Sequence, residues 1–283
     1  AARKYVFRTM GHATADNVAA AMYVKEKFPD MKGYTGINQN YAWGQDSWRD
    51  FDLTLQQIMP NTKASDKTQF PKIFAGQYGS EISAMSLDKA DLIHTSFWGG
   101  DLEAFIFQGN ARGLFKKKIG VFTVGGTAAY RLGKKLPNGL VLGARGPYGI
   151  LVRDRDTALN NWFVSTYKNL YGTFPSGPAY QYGQAILAAK IAYDKAGSDA
   201  SNEQLADALR GITFESFSTT IEMKLGNGHQ AATENGYGIT EYDSENGENV
   251  VKDVKFYPAS CVLPPEGQNS VDWIKGGMKG AKC

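Results

Sequence analysis

The chain has 283 residues, of which 42% are apolar and 21% are charged, as in an ordinary globular protein. Its 31 basic and 28 acidic residues are mixed along the sequence and give a formal net charge of +3, so nothing in the charge pattern predicts nucleic-acid binding. We expect no membrane-spanning segment, since even residues 179–196 are interrupted by Gln181, Gln184, Lys190 and Asp194.

From residue 5 to about residue 145, short apolar runs alternate with helical patterns, which predicts an α/β fold with a parallel sheet covered by helices. Strands are predicted at residues 5–8, 34–38, 91–95, 119–124 and 140–144. Helices are predicted between them at residues 13–27, 45–58, 101–114 and 127–135.

The pattern changes after Tyr148, which indicates a second structural unit. Three helices are predicted in succession at residues 158–171, 177–196 and 202–209. Strands are then predicted at residues 219–225, 236–242 and 250–257, with a polar hairpin turn at residues 243–249.

Aromatic side chains are frequent at predicted loop positions, several of them at successive strand ends. In open parallel sheets the carboxyl ends of the strands are where ligands bind. One loop aromatic is usually a packing residue, but several together favour a cleft for a small organic molecule, because rings offer large contact area at low entropy cost. The residues concerned are Tyr41, Trp43, Phe97, Trp98, Tyr148, Tyr180 and Tyr182.

The sequence lacks the motifs of common enzyme classes. Its three histidines, His12, His94 and His229, accompany neither a Gly-x-Ser-x-Gly elbow nor a His-Glu-x-x-His metal motif. Residues 226–231 formally resemble a dinucleotide fingerprint, but no helical pattern follows them. We therefore predict no catalytic residue, no cofactor and no metal, and a hydrolase using His94 or His229 is a remote alternative.

The only two cysteines, Cys261 and Cys283, lie in a terminal segment with little apolar periodicity. A disulfide would stabilise this segment and would indicate an oxidising compartment such as a periplasm. Two free thiols in a reducing compartment are the alternative.

Four segments together resemble the type I periplasmic solute-binding proteins of ATP-driven importers, in the branched-chain-amino-acid-binding-like group. They are Tyr-Val-Phe-Arg-Thr at 5–9, Asn-Tyr-Ala-Trp-Gly-Gln-Asp at 40–46, Ala-Asp-Leu-Ile at 90–93 and Gly-His-Gln at 228–230. The resemblance covers nearly the whole chain in order. It implies two Rossmann-like lobes, each with a parallel sheet flanked by helices, joined by a hinge near residues 5–9, 144–148 and 223–230.

The resemblance also implies a division of the chain. Residues 7–144 and 226–283 would form the second lobe, and residues 145–225 would form part of the first lobe, whose N-terminal portion is absent here. Helices in 158–209 would then expose an apolar face. Because the first residues run directly into an apparent strand, either a signal peptide has been removed or the chain begins inside a larger protein. We expect the former, and with it a periplasmic protein.

The same resemblance assigns a binding site without catalysis. Tyr41, Trp43, Phe97 and Trp98 would form one wall, Gly125 would let the backbone approach the ligand, and Tyr148 and Tyr180 would close the site from the hinge side.

Amino-acid binders of this group carry an acidic residue at the position that aligns with Gly125. An α-ammonium would therefore lack a buried partner here, which favours an aromatic carboxylate or a similar flat molecule. The partner of the closed form would be a membrane permease served by a separate ATPase. The alternatives are an amino-acid or amide binder and a ligand-sensing regulatory or receptor domain of the same fold.

Overall fold

A computed structural model describes residues 3–283. Its strands are β1 (Gly33–Gly36), β2 (Lys63–Ala64), β3 (Leu92–Thr95), β4 (Ile119–Phe122), β5 (Val141–Gly143), β6 (Thr213–Glu215), β7 (Thr220–Leu225), β8 (Gln230–Ala232), β9 (Asn235–Asp243) and β10 (Glu248–Tyr257). Its α-helices are α1 (Ala13–Lys27), α2 (Ala42–Ile58), α3 (Gly79–Leu87), α4 (Gly99–Ala111), α5 (Ala129–Leu132), α6 (Ala158–Tyr171), α7 (Gly177–Ala196), α8 (Asn202–Leu209), α9 (Ala259–Val262) and α10 (Ser270–Lys275).

The strands form two sheets. The large sheet has seven strands in the order β10-β9-β5-β4-β3-β1-β2, with β1 to β5 parallel and β9 and β10 antiparallel. The small sheet has the order β6-β7-β8 and is antiparallel, whereas parallel sheets were expected in both lobes. The connections within the small sheet are too short for the crossover that parallel strands require.

Helix prediction succeeded where the apolar pattern and the capping residues agree. Helices α1, α6, α7 and α8 have the predicted bounds. The side chain of Thr157 accepts a hydrogen bond from the backbone of Asn160 at the start of α6. Ser201 and Gln204 form a reciprocal capping box at the start of α8, which satisfies backbone donors that the helix cannot.

Two predicted elements are wrong. Residues 5–8 do not form a strand, because only Arg8 pairs, through a single parallel bridge to Gln230. The helix predicted at 127–135 is divided into a 3₁₀ turn at Gly125–Thr127, helix α5 and a second 3₁₀ turn at Gly133–Lys135. The backbone of Gly133 has φ 49° and ψ −134°, which is incompatible with a continuous helix.

The large sheet is covered by hydrophobic cores on both faces. On β3, Leu92 belongs to the core beneath α1 and α2, while Ile93 belongs to the core on the opposite face. Val121 and Phe122 on β4 alternate in the same way. Successive strand residues point to opposite faces, so these apolar runs require helices on each side of the sheet.

Three chain segments connect the large sheet with the small sheet and helices α6 to α8. The first of these crossing segments lies near Arg8, whose backbone N–H donates to the carbonyl of His229 and whose carbonyl accepts from the backbone N–H of Ala231. The second lies at residues 144–148, and the third follows β8. The division into lobes at residues 144 and 226 stays a prediction, although β8 pairs within the small sheet.

Helices α6 and α7 expose large apolar side chains, as expected for this segment. They include Trp162, Leu170, Tyr171, Tyr182 and Ile186. Among the helices of residues 3–283, none has the length and apolarity needed to cross a membrane.

The disulfide prediction is confirmed: Cys261 and Cys283 are bonded, with 4.7 Å between their Cα atoms. Cys261 is completely buried at the start of the terminal segment. In the same segment, Trp273 packs into the core and its indole N–H donates to the carbonyl of Lys279 at 3.1 Å. The bond therefore links the end of the chain to the large core.

Replacing Cys283 by Ser should lower the free energy of unfolding by about 3 kcal/mol, because the unfolded chain loses a loop constraint. Cys283 is exposed, so its substitution removes little packing. Urea unfolding of the oxidised protein and the variant measures the difference. As a control, reductant should bring the unmodified protein to the variant's midpoint, and identical midpoints without reductant would contradict the prediction.

Candidate ligand-binding site

A cavity of about 430 Å³ lies between the carboxyl-terminal edge of the large sheet and helices α6 and α7. The loops after β3, β4 and β5 contribute Trp98, Gly99, Val124, Thr127, Tyr130, Arg131 and Arg145. The opposite side consists of Tyr167, Thr173, Phe174, Ser176, Pro178 and Gln181. Its size and its mixture of aromatic and polar side chains are those of a small-molecule site.

Trp98 belongs to a pair of aromatic residues that come from neighbouring strand ends. Its indole N–H donates to the hydroxyl of Tyr41 at 2.8 Å, and Phe74 meets the Trp98 ring edge-on at 5.8 Å. Tyr41 is the residue before α2 and lies beside the cavity rather than in its lining. The hydrogen bond fixes the orientation of the Trp98 ring toward the cavity.

The loop between β1 and α2 is shaped by a close backbone approach. A Cβ atom added to Gly44, in the first turn of α2, would lie 2.0 Å from the carbonyl oxygen of Gln39, so only glycine fits at this position. This turn places Trp43 over the end of the sheet, where its indole N–H donates to the carbonyl of Ser96 at 3.0 Å.

Arg145, a residue that was not predicted for the site, stacks on Trp43. Its guanidinium carbon lies 4.4 Å from the centre of the Trp43 ring. Arg145 follows β5 in a left-handed conformation with φ 59°, uncommon for a residue other than glycine. The sequence carried a signal for Arg145, since it directly follows the strand predicted at residues 140–144, at the end where ligands bind in open parallel sheets.

Phe174, on the opposite side of the cavity, packs against Tyr130 of α5, which lies on the strand-end side. Their ring centres are 5.7 Å apart. The cations of Arg153 and Lys168 lie 4.8 and 4.2 Å from the Phe174 ring, and Arg153 also pairs with Glu248 at 2.9 Å. These cations pack on the ring and help to hold it in place, while Arg153 is also paired with Asp154.

The cavity lining includes two arginines and no Asp or Glu. The buried Asp16 lies in the first turn of α1, and its Oδ1 accepts from Asn235 at 2.6 Å. Burial raises the pKa of Asp16 to about 7, although Arg145 and the Asn235 hydrogen bond act in the opposite direction. The arrangement favours an anionic or neutral ligand over a cation.

Of the seven residues predicted for the site, Trp98 alone belongs to the cavity lining, and Tyr41 and Trp43 lie beside it. The other four are buried away from the lining: Phe97, Gly125, Tyr148 and Tyr180. Phe97 is fully buried against Tyr78 and Phe105. A Cβ added to Gly125 would lie 3.0 Å from Leu142 and from Phe122, so this glycine allows the loop to pack on the sheet.

Tyr148 and Tyr180 are also buried, and they connect α7 with the crossing segments. The amide of Gln184 donates to the Tyr148 hydroxyl at 3.0 Å and to the carbonyl of Thr9 at 2.7 Å. The Tyr180 hydroxyl donates to Asn160 at 2.9 Å. Their ring faces are used in packing and their hydroxyls in these bonds, so they support the cavity from behind.

The histidines have structural environments. His94 is fully buried between Asn17 and Asn38, and burial lowers its pKa to about 3. His229 stacks on Phe7 at 4.4 Å, and burial lowers the pKa of His12 to about 4. In the part of the chain that the structure describes, no three His, Cys, Asp or Glu side chains are placed to hold a metal ion.

Comparison with known proteins gives one family match. A family model described as "Periplasmic binding protein" matches residues 1–248. A search of curated protein sequences finds no significant match.

Solved structures share this fold at low sequence identity. A solute-binding protein of an ABC transporter from Rhodopseudomonas palustris BisB5, in complex with 3,4-dihydroxy benzoic acid, is 17% identical with a TM-score of 0.76, covering 89% of this chain and 67% of its own. An R. palustris solute-binding protein in complex with benzoate is 18% identical with a TM-score of 0.69, covering 88% and 64%. An amino acid ABC transporter substrate-binding protein from Pseudomonas fluorescens Pf-5 is 14% identical with a TM-score of 0.78, covering 97% and 70%. This chain therefore spans about two thirds of the length of such proteins.

Replacing the buried Asp16 by Asn should remove a pH dependence of stability. Because the folded-state pKa is about 7 and the unfolded value is 3.8, the folded protein retains a proton between these values that the unfolded chain has lost. The free energy of unfolding of the unmodified protein should therefore fall as pH rises through this window, by at most about 1.4 kcal/mol per pH unit for this group.

Urea unfolding at about pH 4 and about pH 8 tests this prediction. The free energy of unfolding of the variant should rise relative to that of the unmodified protein as pH rises. The exposed Asp199 provides a matched control, since Asp199→Asn should leave the slope unchanged. Equal slopes for the unmodified protein and Asp16→Asn would refute the assignment.

Proposed function

This chain belongs to the periplasmic binding protein family, and on that premise we propose that it captures a small aromatic acid for an ABC-type importer. The observation that carries the proposal is the composition of the cavity, which combines aromatic walls with arginine and contains no carboxylate in its lining. An organic anion with a flat ring matches both properties, whereas the ammonium group of an α-amino acid would find no anionic partner.

The aromatic rings on opposite sides of the cavity can hold such a ligand between them. Trp98 and Tyr130 stand on the strand-end side, and Phe174 and Tyr167 stand across the cavity. A ring placed between aromatic walls gains offset or edge contacts on both faces without ordering long flexible side chains. Two of the structural relatives were solved with benzoate and with 3,4-dihydroxy benzoic acid, which supports the same ligand class.

Capture proceeds by closure of two lobes about the three crossing segments. Ligand contacts to the strand-end loops and to α6 and α7 stabilise the closed form, so binding shifts the population toward it. The closed protein then delivers the ligand to a membrane permease, while a separate subunit hydrolyses ATP. The disulfide between Cys261 and Cys283 is consistent with work in an oxidising compartment such as the periplasm. The protein itself carries out no chemistry on the ligand.

The direct test is titration of the protein with 4-hydroxybenzoate, benzoate and leucine, followed by isothermal calorimetry and tryptophan fluorescence. We expect the aromatic acids to bind one per chain and to be recovered unchanged, and leucine to bind far more weakly. Tight binding of leucine alone would make the protein an amino-acid binder, and conversion of a bound acid would make it an enzyme. Either result would reject the proposal.

Replacing Trp98 by Ala should weaken binding of 4-hydroxybenzoate by about 30-fold, because a central aromatic contact is removed from a desolvated site. The matched control is Trp162→Ala on the exposed side of α6, outside the cavity lining, which should leave the affinity unchanged. Circular dichroism checks that both variants fold. Unchanged affinity in folded Trp98→Ala would remove the cavity from consideration.

A further inference from the structure

The two arginines that line the cavity differ in their partners. Arg131 forms an ion pair with Glu103. Within residues 3–283, no carboxylate lies at ion-pair distance from Arg145, and its Nε is buried without a hydrogen-bond partner. A buried donor without an acceptor costs free energy that a bound acceptor would recover. Arg145 is thus the cavity cation whose charge the protein leaves without a direct counterion.

The position of Arg145 is closely determined by the backbone. Its N–H donates to the carbonyl of Thr123 at 3.2 Å, which attaches the residue to the end of the neighbouring strand. The left-handed conformation of Arg145 and the positive φ of 122° at Gly146 turn the chain sharply after β5. A non-glycine residue in this conformation is unfavourable by itself, so the surrounding sheet must impose it.

The side chain of Arg145 is held by a flat platform. Trp43 lies beneath the guanidinium at 4.4 Å and is itself fixed through its hydrogen bond to Ser96. Stacking occupies a face of the guanidinium plane and leaves its N–H donors at the edge available. A planar fork with a fixed orientation matches the two oxygens of a carboxylate.

The buried Asp16 interacts electrostatically with Arg145 but forms no direct ion pair with it. The Oδ1 atom of Asp16 accepts from Asn235, and burial favours the protonated form of this carboxyl group. An external carboxylate therefore remains the better counterion for the guanidinium.

We propose that Arg145, oriented by Trp43, binds the ligand's carboxylate through paired charge-assisted hydrogen bonds and so selects acids over their neutral amides. This inference rests on the proposed function, because it assigns the acid group of an aromatic ligand to a specific residue. Trp43 acts as a positioning residue for Arg145, and Trp98 contacts the ligand ring.

The test compares 4-hydroxybenzoate with 4-hydroxybenzamide, which has similar size but no charge. The substitution Arg145→Asn is suitable because asparagine tolerates the left-handed conformation. We expect this substitution to lower the affinity for 4-hydroxybenzoate by about 10-fold to 100-fold and to change the affinity for 4-hydroxybenzamide by less than about 3-fold. Arg145→Lys should give an intermediate loss, because it retains the charge but not the planar fork.

Two further variants make the assignment specific. Arg131→Asn separates the two cavity arginines, and a loss of acid affinity there but not in Arg145→Asn would overturn the proposal. Arg210→Asn, at the exposed end of α8, is the matched control and should change neither affinity.

If Arg145→Asn does not fold, the variant Trp43→Leu tests the role of Arg145 instead. Without the Trp43 ring the guanidinium loses its orientation, so the affinity for the acid should fall more than the affinity for the amide. An unchanged ratio of the two affinities would overturn the proposal.

The possible failures are distinguishable. If the unmodified protein binds neither compound, the proposed function fails and this inference fails with it. If it binds the acid and Arg145→Asn binds the acid equally well, the cavity is an aromatic-acid site and only the role of Arg145 is rejected.

Discussion

The parallel pairing of β1, β3, β4 and β5 is the constraint on which the candidate site depends. The registers align Gly36 with His94, Thr95 with Phe122 and Phe122 with Leu142, so the strands end at one edge of the sheet. Because parallel strands return through helices on the faces, all their carboxyl-terminal loops meet at this edge. Residues far apart in sequence, such as Trp43, Trp98 and Arg145, thereby come together at the cavity.

A rigid sheet also allows unfavourable local features to persist beside the cavity. Arg145 is left-handed, Asp16 is buried without a full ion pair, and the hydroxyl of Tyr130 is buried without a hydrogen-bond partner. Each of these costs free energy, and the cores on both faces of the large sheet compensate for them. In binding proteins such unsatisfied groups are useful where a ligand can supply the missing partner.

The crossing segments carry a different kind of interaction, which is buried and fully polar. Gln184 bonds to both Tyr148 and Thr9, which joins α7 to two of the crossing segments, and Tyr180 bonds to Asn160, which joins α7 to α6. Aromatic residues near the cavity thus divide into two groups. Those whose rings are enclosed fix the arrangement of the helices, while Trp98 at the end of β3 lines the cavity.

The sequence by itself determined the α/β class, most helices and strands and the aromatic character of the site, because these depend on local periodicity, capping and composition. It left the pairing of Cys261 with Cys283 open, since the fold brings their Cα atoms within 4.7 Å of each other. It could not decide which aromatics face the cavity: Phe97 and Trp98 are neighbours, yet one enters the core and the other lines the cavity. It also missed Arg145, whose role depends on Trp43, a residue distant along the chain. Side-chain direction at a strand end and contacts between loops are set by tertiary packing, since a local pattern carries no information about the element against which it packs.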